Sequence, residues 1–241
     1  MSRFLHHSSC EKCGSSDAKG VFDDGHEYCW SCRYYKPAEL LSLESVNITL
    51  SKSQDKSLVG SLTLPLDISE KIPNEPFLWL KKYGITSDEI KSNRLAWSEE
   101  RQMLVFPYYN KEDALQMWQG RYFPARTPKV FTRGNIAKSM ITLEKIQSDT
   151  VVIVEDPVSA IKVNRYKNTC PLFGSNLSIH KAIYLSRAFD NLIIWLDRDK
   201  LFASVKMLET YGNLFKSCSI ISTELDPKEC SDEEIKKELT K

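Results

Sequence analysis

The 241-residue chain lacks any apolar run long enough to cross a bilayer, and Met1 to Ser9 lack the apolar core of a secretory signal. Both absences direct the expectation to a soluble, cytoplasmic protein with no membrane partner. Net charge is also missing: 33 Lys and Arg stand against 32 Asp and Glu, so whole-molecule charge makes no case for a polyanionic partner. No Gly-x-x-x-x-Gly-Lys-Ser/Thr loop occurs, which excludes P-loop nucleotide hydrolysis within these residues. The cysteines offer no disulfide framework. Four of the seven form two Cys-x-x-Cys pairs near the amino terminus, and Cys170, Cys218 and Cys230 are scattered without ligand spacing. In a reducing compartment this distribution favours zinc over disulfides.

What is present is unevenly placed. Arg101 to Lys145 holds eight Lys or Arg against three acids, whereas Glu224 to Lys241 holds seven acids against four Lys. A basic stripe near an acidic cluster suits an enzyme acting on nucleic acid. Cys10-Glu-Lys-Cys13, fifteen residues, then Cys29-Trp-Ser-Cys32 has the spacing of a four-thiolate zinc site. Asp24-Gly25 is a hairpin signal that places Val21-Phe22 and Glu27-Tyr28 on antiparallel strands, and Gly14 supplies the positive φ that such a turn needs. The segment reads as a zinc ribbon over residues 1–36, with His6 and His7 surplus to the ligand set. Trp30, Arg33 and Tyr34 offer stacking and phosphate contacts.

Two apolar runs end on acids. Thr150-Val-Val-Ile-Val runs into Glu155-Asp156, and Asn191-Leu-Ile-Ile-Trp-Leu runs into Asp197-Arg-Asp199. Each is followed by a helical pattern, Pro157 to Tyr166 and Lys200 to Tyr211, which predicts parallel strands with ligands at their carboxyl ends. Strand alternation puts Asp197 and Asp199 on one side, where they can share a divalent cation with Glu155. Ser175 and Ser178 precede a helix over 179–189, with capping the ordinary role of Ser178. Ser219 to Thr223 reads as an edge strand, Asp226-Pro-Lys228 follows it, and a charged helix spans 232–241. Upstream, Arg101 to Pro107 and Leu115 to Phe123 form a hairpin. Arg121, Arg126, Lys129 and Arg133 are interleaved there with Trp118, Tyr122, Phe123 and Phe131, a mixture suited to phosphates and stacked bases. Two short helices precede it, Pro76 to Tyr83 and Ser87 to Ser92, with Ser87 as a cap and Phe77, Trp79 and Leu80 as core. Residues 37–73 show no period and read as a linker.

Three resemblances follow these residues. Glu155 with Asp197-x-Asp199 resembles the TOPRIM domain of primases, topoisomerases and some nucleases, although Asp156-Pro157 and Phe202 stand where that family often has glycine. Arg101-x-Met-x-x-Phe-Pro, Gln119-Gly-Arg121 and Thr127-Pro-Lys129 are similar to the basic half of the bacterial-type primase polymerase domain, with Val130 in place of a usual tyrosine. Cys10 to Cys32, with Phe22-x-Asp24-Gly-His26-x-Tyr28, looks like the zinc-binding domain of phage primases of the T7 type. The resemblance implies an α/β protein, α+β overall: a four-cysteine zinc ribbon (1–36), a linker (37–73), a basic subdomain (74–148) and a Rossmann-like parallel TOPRIM domain (149–241).

By that resemblance the chain is expected to be a DnaG-type DNA primase making short RNA primers on single-stranded DNA from ribonucleoside triphosphates. Cys10, Cys13, Cys29 and Cys32 would hold zinc, and Glu155, Asp197 and Asp199, with Asp226, would hold Mg²⁺ or Mn²⁺. Arg101, Arg121, Lys129 and Arg133 would contact nucleic acid or nucleotide, and Asp24 and His26 the template. With no P-loop in the chain, a separate helicase and a DNA polymerase are the expected partners, in the host cytoplasm if the chain is phage-encoded. The alternatives are a TOPRIM nuclease, which explains the acids but not the basic subdomain, and a non-catalytic template-binding or primosome factor. No tyrosine-nucleophile domain of topoisomerase type can be made out.

Overall fold

The computed structural model describes residues 4–23, 25–32, 34–36, 62–110, 112–135, 143 and 147–240. The chain divides into two compact units, Met1–Val59 and Gly60–Lys241. Among the described residues no helix is long and apolar enough to cross a membrane.

The first unit is an antiparallel sheet in sequential order: β1 (Phe4–Ser8), β2 (Lys19–Phe22), β3 (Glu27–Cys29) and β4 (Tyr35–Lys36). The expected hairpin is β2–β3, with Val21 opposite Glu27 and Gly20 opposite Tyr28. Its turn closes with the Gly25 N–H donating to the Phe22 carbonyl, at a φ of +86° that glycine reaches without penalty. Gly20 is small for another reason: a Cβ there would lie 2.3 Å from the Trp30 ring, which covers it.

The second unit opens with β5 (Ile68–Ser69), α1 (Asn74–Lys82), α2 (Ser87–Ser92), β6 (Ala96–Ser98), β7 (Met103–Tyr109), β8 (Leu115–Tyr122) and β9 (Val130–Gly134). The five strands form one antiparallel meander in chain order. One face packs Leu104 and Phe106 against Leu80, Ile85 and Ile90 of the α1–α2 region. The other packs Met103, Val105 and Trp118 with Leu62, Leu64 and Phe131. Residues 62–73 therefore do not behave as linker. The Thr63 carbonyl accepts from Trp118 Nε1 at 3.0 Å, and Asp67 accepts from Ser98 Oγ at 2.9 Å and from the Glu100 N–H at 2.8 Å. Alternating Leu62 and Leu64 cover a sheet face, a signal too short to register as a period. The cap of α2 also differs from expectation. Thr86, not Ser87, accepts from the Glu89 N–H, and Glu89 returns a carboxylate to the Thr86 N–H, a reciprocal capping box.

The remainder is β10 (Thr150–Val154), α3 (Pro157–Val163), β11 (Asn168–Pro171), α4 (Ile179–Ala188), β12 (Asn191–Ile194), α5 (Leu201–Tyr211), β13 (Ser217–Ile220) and α6 (Asp232–Leu239). All strand pairs are parallel, in the order β11-β10-β12-β13. Central β10 is buried on both faces. Val151 and Ile153 meet Ala182, Leu185 and Met207, whereas Val152 and Val154 meet Ala160, Val163 and Ile235. A five-residue strand buried on both faces has to be apolar throughout, which explains its unbroken run. Helix α3 stops at Val163, three residues short of the expected end. It serves both cores, with Val158 and Ile161 in the meander's cluster and Ala160 and Val163 in the parallel sheet's.

Arg165 follows α3 and ties α2 to α6. Its guanidinium donates to Glu89 at 2.7 and 2.8 Å, to Asp232 at 2.6 Å and to the Gly84 carbonyl at 2.8 Å. Arg165→Ala strands the half-buried Glu89 and should cost about 2–3 kcal/mol. In a thermal melt this appears as a fall of roughly 5–10 °C in the transition of the second unit. An unchanged transition would mean that water replaces all four contacts.

Candidate functional site

The cysteine centre comes from the two tight turns. The Gly14 N–H donates to the Cys10 carbonyl, with Gly14 at φ +71°, and the Cys29 N–H donates to the Tyr34 carbonyl. The four sulfurs lie within 4.8 Å of one another, with Cys10–Cys32 and Cys13–Cys29 each 3.7 Å apart. A tetrahedron with metal–sulfur arms of about 2.3 Å has edges of about 3.8 Å, so the set fits one zinc ion. His6 and His7 are not part of it; His7 packs between Phe4 at 4.8 Å and Trp30 at 5.5 Å. His26 stacks on Phe22 at 4.1 Å, and Trp30 is half exposed. Asp24 and Arg33 lie outside the described residues.

A second centre lies at the carboxyl ends of β10 and β12. Glu155 and Asp156 follow β10 directly. The Glu155 carbonyl accepts from the Gly174 N–H, and Asp156 caps α3 by accepting from the N–H groups of Val158 and Ser159 at 2.9 and 3.1 Å. Asp156 thus has a structural duty that its position before Pro157 favours. Asp197 closes the β12 segment with its side chain 18 % exposed. Asp199 is more exposed. Residues Arg198–Lys200 form a single 3₁₀ turn, with Asp197 just before it. Asp199 is 71 % exposed and pairs with Lys200, and its charge still raises the pKa of Glu155.

At the centre of the acids is Lys228. Its Nζ lies 2.9 Å from Asp197 Oδ2, 2.9 Å from Asp226 Oδ2 and 3.3 Å from Asp156 Oδ2. Burial opposes its charge, yet the three carboxylates outweigh that and raise its pKa. Asp226 also accepts from the Arg198 N–H at 3.1 Å. Burial works against it too, but these bonds hold its pKa below the ordinary value. Burial pushes Asp197 up to about 7 despite Lys228, and raises Glu155 as well. Among the described residues, Glu155 Oε2 and Asp197 Oδ1 are buried acceptors without a hydrogen-bond partner. Unpaired buried carboxylate oxygens are costly unless a cation answers them, so this donor set fits a hard divalent ion.

The meander faces this centre across a cavity of about 300 Å³ lined by Trp79, Gln119, Arg121, Lys129, Glu155 and Asp197, among others. Arg121 extends from β8 with its guanidinium 4.5 Å from the Trp79 ring and 5.8 Å from Phe123, and its buried Nε has no partner. The structure thus gathers Arg121, Lys129, Glu155 and Asp197 around one space, with Asp226 joined to them through Lys228. Arg101, in the turn before β7, and Arg133, on β9, are exposed and outside the lining. Trp118 and Phe123 are core residues, and Ser178 caps α4. Sequence reasoning missed Lys228 and gave Trp79 only a core role. The signal for Lys228 was its place two residues after Asp226 in a tight Asp-Pro-Lys turn.

No family model matches the chain. A 35-residue stretch is 54 % identical to the DNA helicase/primase of Enterobacteria phage T3 and covers 14 % of this chain and 6 % of that protein. This chain therefore matches a small part of that relative's length. Across nearly its whole length the fold is similar to the primase fragment of the bacteriophage T7 primase-helicase, with TM-score 0.52 and 17 % identity over 99 % of this chain and 98 % of that one. It is also similar to the zinc-binding and RNA polymerase domains of the Aquifex aeolicus primase, with TM-score 0.58 and 14 % identity over 99 % and 80 % of the two chains. At such identities the solved structures speak for the fold. The local match to the phage T3 protein adds sequence similarity over 35 residues.

Proposed function

We propose that this chain is a DNA primase, a DNA-directed RNA polymerase that joins ribonucleoside triphosphates into short RNA primers on single-stranded DNA. The observation that carries the reading is the opposition of Arg121 and Lys129 to the half-buried Glu155 and Asp197 across one cavity. Nucleotidyl transfer needs cationic groups on the phosphates and carboxylates near the phosphorus that is attacked. Arg121, stacked on Trp79 with a free Nε, is preset for an anionic oxygen, and Lys129 adds a second positive charge. Arg101 and Arg133 hold template or primer backbone outside the cavity. Glu155 and Asp197, flanked by Asp199 and Asp226, would hold Mg²⁺ or Mn²⁺, which eases deprotonation of the primer 3′-hydroxyl and neutralises charge on the departing pyrophosphate. In the ribbon, Cys10, Cys13, Cys29 and Cys32 hold zinc, and His26, with Asp24 and Trp30, reads template bases. The partners of this reading are a replicative helicase and a DNA polymerase, in a host cytoplasm. The name of the phage T3 protein joins helicase and primase, in keeping with the first of them.

A non-catalytic template-binding factor has one observation in its favour, the lysine lodged among the acids. Primer synthesis on a random pool of single-stranded DNA, with labelled ribonucleotides and Mg²⁺ or Mn²⁺, separates the readings. Short RNA products are expected, falling about 100-fold or more with Asp197→Ala. Strand binding without product would favour the binding factor, and cutting of the template would favour a nuclease. His26→Ala should change which template sites are used while extension of a supplied primer stays within about twofold; equal loss of both would remove the ribbon from start-site choice. Zinc binding contributes about 10–16 kcal/mol to folding in zinc-finger peptides. Chelation should therefore erase the dispersed amide NMR signals of residues 4–36 and leave those of 147–240 in place. Retention of the former would make the ribbon's fold metal-independent.

A further inference from the structure

Lys228 is more than a neighbour of the acids. It is held in place from below by a second lysine, Lys162 of α3, which is buried and donates to the carbonyls of Lys228 at 2.9 Å and Cys230 at 2.5 Å. The turn itself is closed by the Glu229 and Cys230 N–H groups donating to the Asp226 carbonyl. The stem of Lys228 is therefore fixed, and its side chain is only 18 % exposed. It forms contacts with one side of the cluster only. Asp226 Oδ2 and Asp197 Oδ2 are within 2.9 Å of it, and Asp156 Oδ2 is shared between it and Ser159 Oγ at 2.7 Å. The other Asp156 oxygen is spent on capping α3, and the other Asp226 oxygen on the Arg198 N–H. Of the carboxylate oxygens buried here, those left without a partner are Glu155 Oε2 and Asp197 Oδ1.

From this division we infer that Lys228 acts as a tethered cation occupying the Asp197–Asp226 side of the cluster, so that the site accepts one divalent ion, on Glu155 and Asp197, where otherwise it would accept two. This rests on the reading of Glu155 and Asp197 as a cation site. A monovalent ammonium three hydrogen bonds deep neutralises less charge than a divalent ion, but it is always present and needs no capture from solution. Asp197 is the hinge of the arrangement, giving one oxygen to the lysine and the other to the ion. Asp226 then acts as a positioning residue for Lys228 rather than as a ligand.

The test is Mn²⁺ binding to the full zinc-loaded chain without nucleotide or template, followed by electron paramagnetic resonance of free Mn²⁺. The intact chain should bind one Mn²⁺, Lys228→Met two, and Lys228→Arg, which keeps a cation, one. Without added metal, Lys228→Met should also melt at lower temperature than the intact chain, and Mn²⁺ should raise its melting temperature more. Two Mn²⁺ on the intact chain would overturn the inference whether or not the Met variant folds. So would equal stoichiometry in the intact chain and Lys228→Met, which would leave Lys228 as an ion pair that an incoming metal displaces or ignores. Absence of Mn²⁺ binding in every form would instead overturn the metal reading of Glu155 and Asp197, and this inference with it. Binding by Lys228→Met alone would make the lysine a block to metal rather than a substitute for one, and would also overturn it.

Discussion

Carboxylates held at the ends of buried strands have to be compensated, and much of the second unit is arranged around that constraint. Strand β10 is apolar because both its faces are covered, and where it ends the chain can reach polar surroundings only by turning. Glu155 and Asp156 follow β10 directly, and Asp197 follows β12 after Trp195 and Leu196. Burial raises the pKa of a carboxylate in such a place, and it does so at Glu155 although Lys200 and Lys228 oppose it, and at Asp197 although Lys228 does. The compensation is partial. Lys228 answers Asp226 and half of Asp197, and the remaining need is directed toward the cavity.

The opposite wall of that cavity is fixed by packing rather than by charge. Helix α3 inserts Val158 and Ile161 into the core beneath the meander and Ala160 and Val163 into the core of the parallel sheet. Its first turn carries Asp156 and follows Glu155, so the acids are registered against both sheets by one seven-residue helix. The aromatic ring of Trp79 holds the Arg121 guanidinium by a cation–π contact and leaves its Nε unpaired. A cationic wall facing an acidic one would collapse into ion pairs if both were flexible. Here the arginine is stacked, the lysine is tethered and the acids end buried strands.

The sequence made the periodic and the punctuated parts of this fold readable. Unbroken apolar runs ending on acids identified β10 and β12, and the Asp24-Gly25 turn between alternating residues identified the β2–β3 hairpin. The four-cysteine spacing was legible because tetrahedral thiolate geometry leaves little choice of turn. What escaped was set by tertiary contact. Leu62 and Leu64 cover a sheet face with two residues, too few to form a pattern. Strand alternation does not carry from Asp197 to Asp199, because β12 ends at Ile194 and a 3₁₀ turn covers Arg198–Lys200. Lys228 was invisible as a partner of Asp156 and Asp197 because seventy-two and thirty-one residues separate them, and only the parallel order of β10, β12 and β13 brings their ends together.

On the proposed reading, the two units divide the work for a chemical reason. Phosphates, divalent ions and the arginine and lysine that face them are the same for every nucleotide, so the cavity can position a reaction but carries little information about sequence. Discrimination among template bases requires stacking surfaces and hydrogen-bond donors that meet unpaired base edges. The ribbon has them: the Phe22–His26 stack, and a half-exposed Trp30 ringed by Phe4, His7 and Tyr28. A small sheet bearing so many exposed aromatic side chains has little apolar interior of its own, and a four-thiolate metal centre lets it hold that surface without one. The zinc site and the recognition surface are in this sense one design: the metal supplies the stability that burying those rings would otherwise have provided.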